Sequence, residues 1–354
     1  MLLKLEARPE PSKLMAYLSP LLAVALTLIG GLMVFSALGT DPLEGFRVFF
    51  LNPVKDTYGI SELLLKATPL MLCAVGLAVG FRANVWNIGA EGQYVMGAVA
   101  ASGLALYFID SESAMVLPAM VLAGAIGGAL WAAIPAFLRT RFNANEILTS
   151  LMLVYIAQLA VSWLAHGPWK DPEGFNFPQT KMFADSALLP MLIEGTRLNF
   201  AFVIALGLLT VGYVFMQRSF LGFQMRVAGQ ADAAARYAGF SATRTIWIGM
   251  LAGGATAGIA GMAEVSGPMG QLTEHVSNNY GFAAIIVAFI GRLNPVGIFF
   301  GSLLMALLYL GGEQAQQYLN LPSSISKVFQ GMLLFFLLGA DVFIHYRLRL
   351  KGGK

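Results

Sequence analysis

Charged residues are scarce in this sequence. Of its 354 residues, 12% are Asp, Glu, Lys or Arg, whereas 57% are hydrophobic. Soluble domains are typically about 25% charged, and a chain with half that charge cannot cover a water-exposed surface with polar groups. The composition therefore excludes a cytosolic enzyme, a disordered chain and a nucleic-acid-binding protein. It predicts an all-α integral membrane protein, because helices satisfy their own backbone hydrogen bonds within a bilayer.

Cysteine and histidine are also rare. Cys73 is the single cysteine and lies in an apolar run, so no intrachain disulfide can form. The three histidines, His166, His275 and His345, are far apart in sequence, and no metal-ligand spacing is present. We therefore expect no metal site in this chain.

Sequence signatures of catalysis and of nucleotide binding are missing too. The chain has no GxxxxGK[ST] loop and no HExxH helix, and no long polar segment offers room for a soluble domain. It also lacks a TVGYG-like selectivity filter, which disfavours a channel. These absences predict that the chain is not an enzyme and binds no cofactor of its own. Any active transport would need energy from an ion gradient or from a partner subunit.

Ten apolar runs are candidate transmembrane helices, each of which needs roughly 20 residues to cross a bilayer. Most of the 22 lysines and arginines become cytoplasmic when the N-terminus is placed inside. We therefore predict one transmembrane domain over residues 1–354, with about ten transmembrane helices, both termini cytoplasmic, an external loop at 167–197 and an internal loop at 217–245. The predicted spans are Leu14–Leu38, Leu63–Phe81, Ile88–Ile109, Ala114–Leu138, Ile147–His166, Leu198–Met216, Ile246–Val265, Gly281–Ile290, Val296–Gly311 and Val328–Ile344.

Glycines at four-residue spacing occur within several of these runs. The seventh span, Ile246–Val265, contains two such pairs in tandem, Gly249/Gly253 and Gly254/Gly258. Small residues at this spacing let helix backbones approach closely in a membrane. The pattern predicts that the seventh span is a central, packed helix.

A polar stretch separates the second and third predicted spans. Its members with hydrogen-bonding or stacking side chains are Asn84, Trp86, Asn87, Glu91 and Gln93. Polar groups within a membrane usually face a cavity or the bundle interior, and an indole can stack on a planar substrate. We therefore predict that these residues line a substrate pathway. In the alternative, Asn87 caps the third span and Glu91 favours its positive end.

The fifth predicted span begins with two polar residues, Asn145 and Glu146. A carboxylate in the first helical turn is favoured by the helix dipole, so an ordinary helix start explains them. The functional alternative is a gate at the cytoplasmic end of the same pathway, and both residues are retained as pathway candidates.

The internal loop contains an alanine-rich segment, Ala231–Ala238, which favours one short helix that ends at Gly239. Its small side chains suit a groove on a partner protein, with Tyr237 and Phe240 as anchors. A plain connector between two spans is the alternative.

Four stretches of the chain resemble permease subunits of ABC importers, in the group that transports ribose-like sugars, branched-chain amino acids and nucleosides. They are Leu221–Gly239 within the internal loop, the Asn87–Gln93 run NIGAEGQ, the Asn145–Met152 run NEILTSLM and the Tyr280–Gly297 run YGFAAIIVAFIGRLNPVG. The resemblance covers roughly residues 14–346. It implies a fold like that of the type II ABC importer permeases. The full NIGAEGQ form favours the nucleoside branch, whose binding proteins are basic membrane lipoproteins.

The resemblance also implies partners and a location. The internal loop would form the coupling helix that docks on the ATPase subunit, through Arg226, Gly229, Ala233, Ala234, Tyr237 and Gly239. ATP would be bound by that ATPase, a second permease subunit of the same or a homologous sequence would complete the passage, and an external lipoprotein would deliver substrate. The implied location is the bacterial cytoplasmic (inner) membrane. Simple sugars or branched-chain amino acids remain alternative substrates, and an ion-gradient-driven transporter is the more distant alternative.

Overall fold

The computed structural model of the protein describes residues 2–10 and 12–351, which are mostly helical. Two short strands, β1 (Leu2–Ala7) and β2 (Tyr346–Lys351), flank the helices. The helices are α1 (Lys13–Ala37), α2 (Pro42–Phe46), α3 (Thr57–Arg82), α4 (Ala90–Tyr107), α5 (Val116–Phe142), α6 (Glu146–His166), α7 (Ala201–Arg218), α8 (Phe220–Gln230), α9 (Asp232–Tyr237), α10 (Ala242–Glu264), α11 (Tyr280–Ile290), α12 (Pro295–Leu319) and α13 (Ile325–His345).

Within the part of the chain that the structure describes, eight helices are long and apolar enough to cross a membrane. They are α1, α3, α5, α6, α7, α10, α12 and α13. The other two predicted spans correspond to α4, whose first turn carries Glu91 and Gln93, and to α11. The 11 residues of α11 extend for about 16 Å, roughly half of a hydrocarbon core of about 30 Å. The total of about ten spans and the cytoplasmic location of the termini stay predictions.

The two ends of the chain pair as an antiparallel ribbon. Leu3 of β1 lies opposite Leu350 of β2, and Glu6 lies opposite Arg347, with 3.0 Å between the Glu6 Oε2 and Arg347 Nη2 atoms. Leucine alternates with charged residues in both segments, which is the two-residue period of a strand. The prediction of an all-α protein therefore missed this short two-stranded sheet. The pairing predicts that both ends of the chain lie on the same side of a membrane.

The chain divides into two compact units, which are the described parts of Met1–Ile60 with Leu307–Lys354, and Ser61–Ala306. In the first unit α1 packs along α13. An aromatic cluster stabilises this unit, with ring centroids 4.4 Å apart for Phe49 and Phe329 and 5.6 Å apart for Phe35 and Phe329. The prediction of one domain over residues 1–354 stays a prediction.

The second unit is built on close contacts among α4, α5 and α10. A Cβ atom at Gly258 of α10 would lie 3.0 Å from the Cα atom of Gly128 and would overlap the carbonyl of Gly124, both on α5. A Cβ atom at Gly97 of α4 would overlap the backbone of Gly258. Three helix backbones thus meet at one glycine, which confirms the predicted central position of the seventh span.

Candidate functional site

The segment that joins α3 to α4 turns sharply at Asn84, whose φ of 56° lies in the left-handed region. The indole Nε1 of Trp86 donates to Asn84 Oδ1 at 2.8 Å. The half-buried Trp86 ring stacks with Phe289 at 5.9 Å between centroids and also contacts Phe81 at 5.3 Å. The structure thus places an aromatic stack at this turn, with Asn84 exposed beside it.

Asn87 and Gln93 pair with each other across the start of α4. The Asn87 Nδ2 donates to Gln93 Oε1 at 2.8 Å, and Gln93 Nε2 donates back to Asn87 Oδ1 at 3.0 Å. Asn87 Oδ1 also accepts from the backbone N–H of Gly89 at 3.0 Å. Both amides are buried, and this pairing satisfies them in the low-dielectric interior, where an unpaired amide would be costly. Their predicted role in a substrate pathway stays a prediction.

Glu91 lies where two helices begin. The Ser277 hydroxyl donates to Glu91 Oε1, and the backbone N–H of Gly281 donates to Glu91 Oε2 at 2.7 Å. Glu91 belongs to the first turn of α4, and Gly281 belongs to the first turn of α11. Because helix N-termini carry partial positive charge, a carboxylate at this position stabilises both starts. The sequence indicated this effect for α4 alone.

Glu146 connects three elements at the other candidate position. Asn145 caps α6, since its side chain accepts from the backbone N–H groups of Ile147 and Leu148. The Glu146 carboxylate forms an ion pair with Arg139 of α5 and accepts from the backbone N–H of Trp86 at 3.5 Å. The structure therefore brings Trp86 and Glu146 together, although 60 residues separate them.

The internal loop contains two short helices, α8 and α9, where one was predicted. α9 confirms the alanine-rich helix, and Gly239 follows it with a φ of 78°, as expected for a glycine beyond a helix end. α8 starts at the N-cap Ser219, which accepts from the backbone N–H of Gly222. Ala233 and Ala234 are exposed, and Tyr237 is 97% exposed. The surface of α9 therefore combines the small side chains of Ala233 and Ala234 with the exposed Arg236 and Tyr237.

The structure places Phe240 against α8, whereas the sequence predicted it as an anchor for a partner protein. Its ring packs edge-on against Phe220 and Phe223 of α8, at 6.1 and 6.5 Å between centroids. It fixes the end of α9 onto α8, so that Tyr237 is the one of the two predicted anchors that extends outward.

Arg226 and Gly229 join α8 to the ends of other helices. Arg226 Nη2 donates to the Met216 carbonyl at 3.0 Å, and Arg82 Nη1 donates to the same carbonyl at 3.4 Å. Arg82 Nε also donates to the Leu293 carbonyl at 3.0 Å. A Cβ atom at Gly229 would lie 3.1 Å from the Cα atom of Ala83. The loop is thus tied directly to the turn that holds Trp86.

A polar cleft in the second unit was not among the sequence predictions. The cleft has a volume of about 360 Å³ and lies among α4, α6 and the segment that precedes α11. Its lining residues are Val95, Gln158, Val161, Ser162, Glu274, His275, Val276 and Ser277. Gln158, Ser162 and His166 recur every four residues along α6, a spacing that places them on one helix face. That spacing within an apolar run is the signal that was available in the sequence.

Glu274 is the charged centre of the cleft. The Ser162 hydroxyl donates to Glu274 Oε2 at 3.2 Å. The His166 Nδ1 lies 3.6 Å from Glu274 Oε2, and the His275 Nε2 lies 3.3 Å from Glu274 Oε1. Two of the three histidines thus meet at one carboxylate. Among the described residues, no group of three or more His, Cys, Asp or Glu side chains is placed to hold a metal ion.

Comparisons with known proteins cover nearly the whole chain. Residues 59–338 match the family described as "Branched-chain amino acid transport system / permease component". The chain is 34% identical to a glucose ABC transporter permease protein from Haloferax volcanii, over 98% of this chain and 93% of the relative. It is 29% identical to a nucleoside ABC transporter permease protein from Lactococcus lactis, over 90% of each chain. It is 27% identical to a guanosine ABC transporter permease protein from Bacillus subtilis, over 95% of this chain and 97% of the relative.

Proposed function

Because the chain belongs to the family of permease components typified by branched-chain amino acid transport systems, we propose that it forms the membrane passage of an ATP-driven importer for nucleosides. The chain is a permease subunit of an ABC transporter and a multi-pass protein of the cytoplasmic membrane. Such subunits are not enzymes: ATP is hydrolysed by a separate ATPase, and a substrate-binding protein belongs to the same assembly.

The ATPase would dock on α9. Ala233 and Ala234 offer a surface without long side chains, and Tyr237 can enter a pocket of the partner without leaving any packed position of this chain. ATP stays in the ATPase, so this chain needs no cofactor of its own.

Movement of the docked loop would reach the membrane part through Arg82. Arg82 and Arg226 share the Met216 carbonyl, and Gly229 packs on the turn after α3. A displacement of α8 would therefore shift the turn that leads to Trp86. Trp86 in turn contacts Glu146 at the start of α6. This chain of contacts supports a change of access driven from the cytoplasmic side.

The remaining partners complete a two-sided assembly. A second permease subunit, identical or homologous to this chain, would form the other wall of the passage. An external substrate-binding lipoprotein would dock on the 167–197 loop and release substrate to the passage.

The observation that favours nucleosides is the similarity, over at least nine-tenths of this chain, to permeases for nucleosides and for guanosine. The 34% identity to a glucose permease supports a simple sugar as the second candidate.

Uptake by the complete transporter in proteoliposomes tests both candidates. We expect ATP-dependent uptake of labelled guanosine or adenosine that excess glucose, ribose or leucine does not inhibit. Uptake of glucose without uptake of nucleosides would show that the transporter imports sugars. Proteoliposomes with this chain alone should show no uptake under a proton or sodium gradient, and gradient-driven uptake by the chain alone would contradict an ABC permease.

A further inference from the structure

The polar face of α6, formed by Gln158, Ser162 and His166, would be energetically unfavourable in contact with lipid. Gln158 is exposed, and Ser162 and His166 continue the same stripe. Amide, hydroxyl and imidazole groups within a membrane helix are expensive against hydrocarbon and mark pathways or cavities. The cleft beside this stripe is therefore a water-accessible space.

The composition of the cleft matches that of a small-molecule site. Its volume of about 360 Å³ lies within the roughly 300–1,000 Å³ of typical ligand pockets. Val95, Val161 and Val276 supply apolar walls, while Gln158 and Glu274 supply groups that can orient a ligand. Apolar walls with a few fixed polar groups are the usual arrangement of such sites.

Glu274 determines which ligand chemistry fits. A carboxylate only accepts hydrogen bonds, and its two oxygens offer about four acceptor positions. The Ser162 hydroxyl donates to the carboxylate at 3.2 Å, and His275, whose side chain is 89% exposed, lies beside it. Two adjacent hydroxyl groups of a sugar can donate to the two oxygens of one carboxylate, and such charge-assisted bonds are strong. The carboxylate also repels anionic ligands.

We propose that the cleft of Gln158, Ser162 and Glu274 binds the vicinal diol of a neutral, sugar-containing substrate, with Glu274 as the acceptor. Gln158, which both donates and accepts, contacts the remainder of that substrate. This inference rests on the proposed import function. A ribonucleoside and a free sugar share the diol, and the experiment distinguishes them.

Cleft occupancy can be measured by cysteine labelling, because the single native cysteine, Cys73, is buried. The His275→Cys variant, assembled in the complete transporter, is reacted with a membrane-impermeant maleimide. We expect guanosine or adenosine at saturation to slow labelling by at least about tenfold. The 2′,3′-dideoxy analogues should protect at least about tenfold less well, since each lacks the charge-assisted hydrogen bonds. Protection by glucose or ribose instead would assign the diol to a free sugar.

Matched control variants distinguish substrate binding in the cleft from a general loss of structure. Met115→Cys places a thiol at a site that is 71% exposed and outside the cleft, and substrate should not protect it. Glu274→Gln in the His275→Cys background should abolish protection, whereas Glu112→Gln should leave it unchanged. Equal protection by ribonucleosides and dideoxy analogues would overturn the diol proposal. If the transporter imports substrate but substrate does not protect His275→Cys, the cleft is not the binding site, although the proposed import function stands. If no substrate is imported at all, the proposed import function itself is wrong.

Discussion

Several close contacts between helix backbones in the second unit occur at glycine. Gly258 faces the backbones of α4 and α5, whereas a Cβ atom at Gly207 of α7 would meet no neighbour within 4 Å beyond its own helix backbone. Nearby, the amides of Asn87 and Gln93 pair in a buried position. Two kinds of single-residue change therefore have predictable costs.

Substitution of Gly258 by alanine should destabilise the protein by about 1–3 kcal/mol, because the added methyl group forces α5 away from α10. The matched Gly207→Ala change should be neutral or stabilising, since alanine is favoured over glycine within a helix by about 1 kcal/mol. Thermal unfolding of the two purified variants measures the difference. Equal melting temperatures would show that the helices do not approach as described.

The Asn87→Ala change should cost about 1–3 kcal/mol, because it leaves the buried Gln93 amide without its partner. The Gln317→Ala change, which removes an exposed amide within α12, is the control and should cost less. Uptake by the complete transporter, at matched expression, tests the pathway hypothesis for the same residue. Unchanged stability would contradict the amide pair, and unchanged uptake with an unchanged substrate range would contradict a pathway role for Asn87.

At the scale of elements, the two helices of the internal loop, α8 and α9, make different contacts. α8 is bound to the helix ends through Arg226 and Gly229, while α9 is attached to α8 by the Phe240 ring. α9 itself presents Ala233, Ala234 and Tyr237 outward. A change on α9 should therefore affect a partner contact without disturbing the membrane helices.

The Ala234→Asp substitution places a charge on the outer face of α9. We expect uptake by the complete transporter to fall by at least about tenfold, since a charge without a partner in a packed interface costs several kcal/mol. ATP hydrolysis should no longer respond to substrate, while membrane insertion stays normal. Ala242→Asp, also at an exposed alanine but beyond α9, serves as control. Normal transport by Ala234→Asp would show that α9 is not the docking helix.

At the scale of the whole molecule, the paired ends of the chain constrain its topology. β1 and β2 lie side by side, which predicts that the chain crosses the membrane an even number of times. The distribution of Lys and Arg predicts that this side is the cytoplasm. The half-length α11 and the polar start of α4 leave the number of full crossings open to measurement.

Reporter fusions at the two ends test this topology. We expect a reporter that is active only in the cytoplasm to be active at both ends, and a reporter inserted after Glu112 to be inactive. Activity at one end alone would contradict the strand pairing, and inactivity at both ends would invert the predicted orientation.

The sequence by itself determined the membrane class, the central glycine-rich helix and the alanine-rich helix of the internal loop. Each of these follows from local composition or from a fixed spacing, which tertiary contacts do not alter. Only the tertiary structure decided the partners of the polar residues. Glu91 reaches α11, 190 residues away, and Glu274 meets Ser162, 112 residues away. Such pairs arise because a buried polar group must find a partner wherever the packing brings one, and no local pattern encodes which residue that will be.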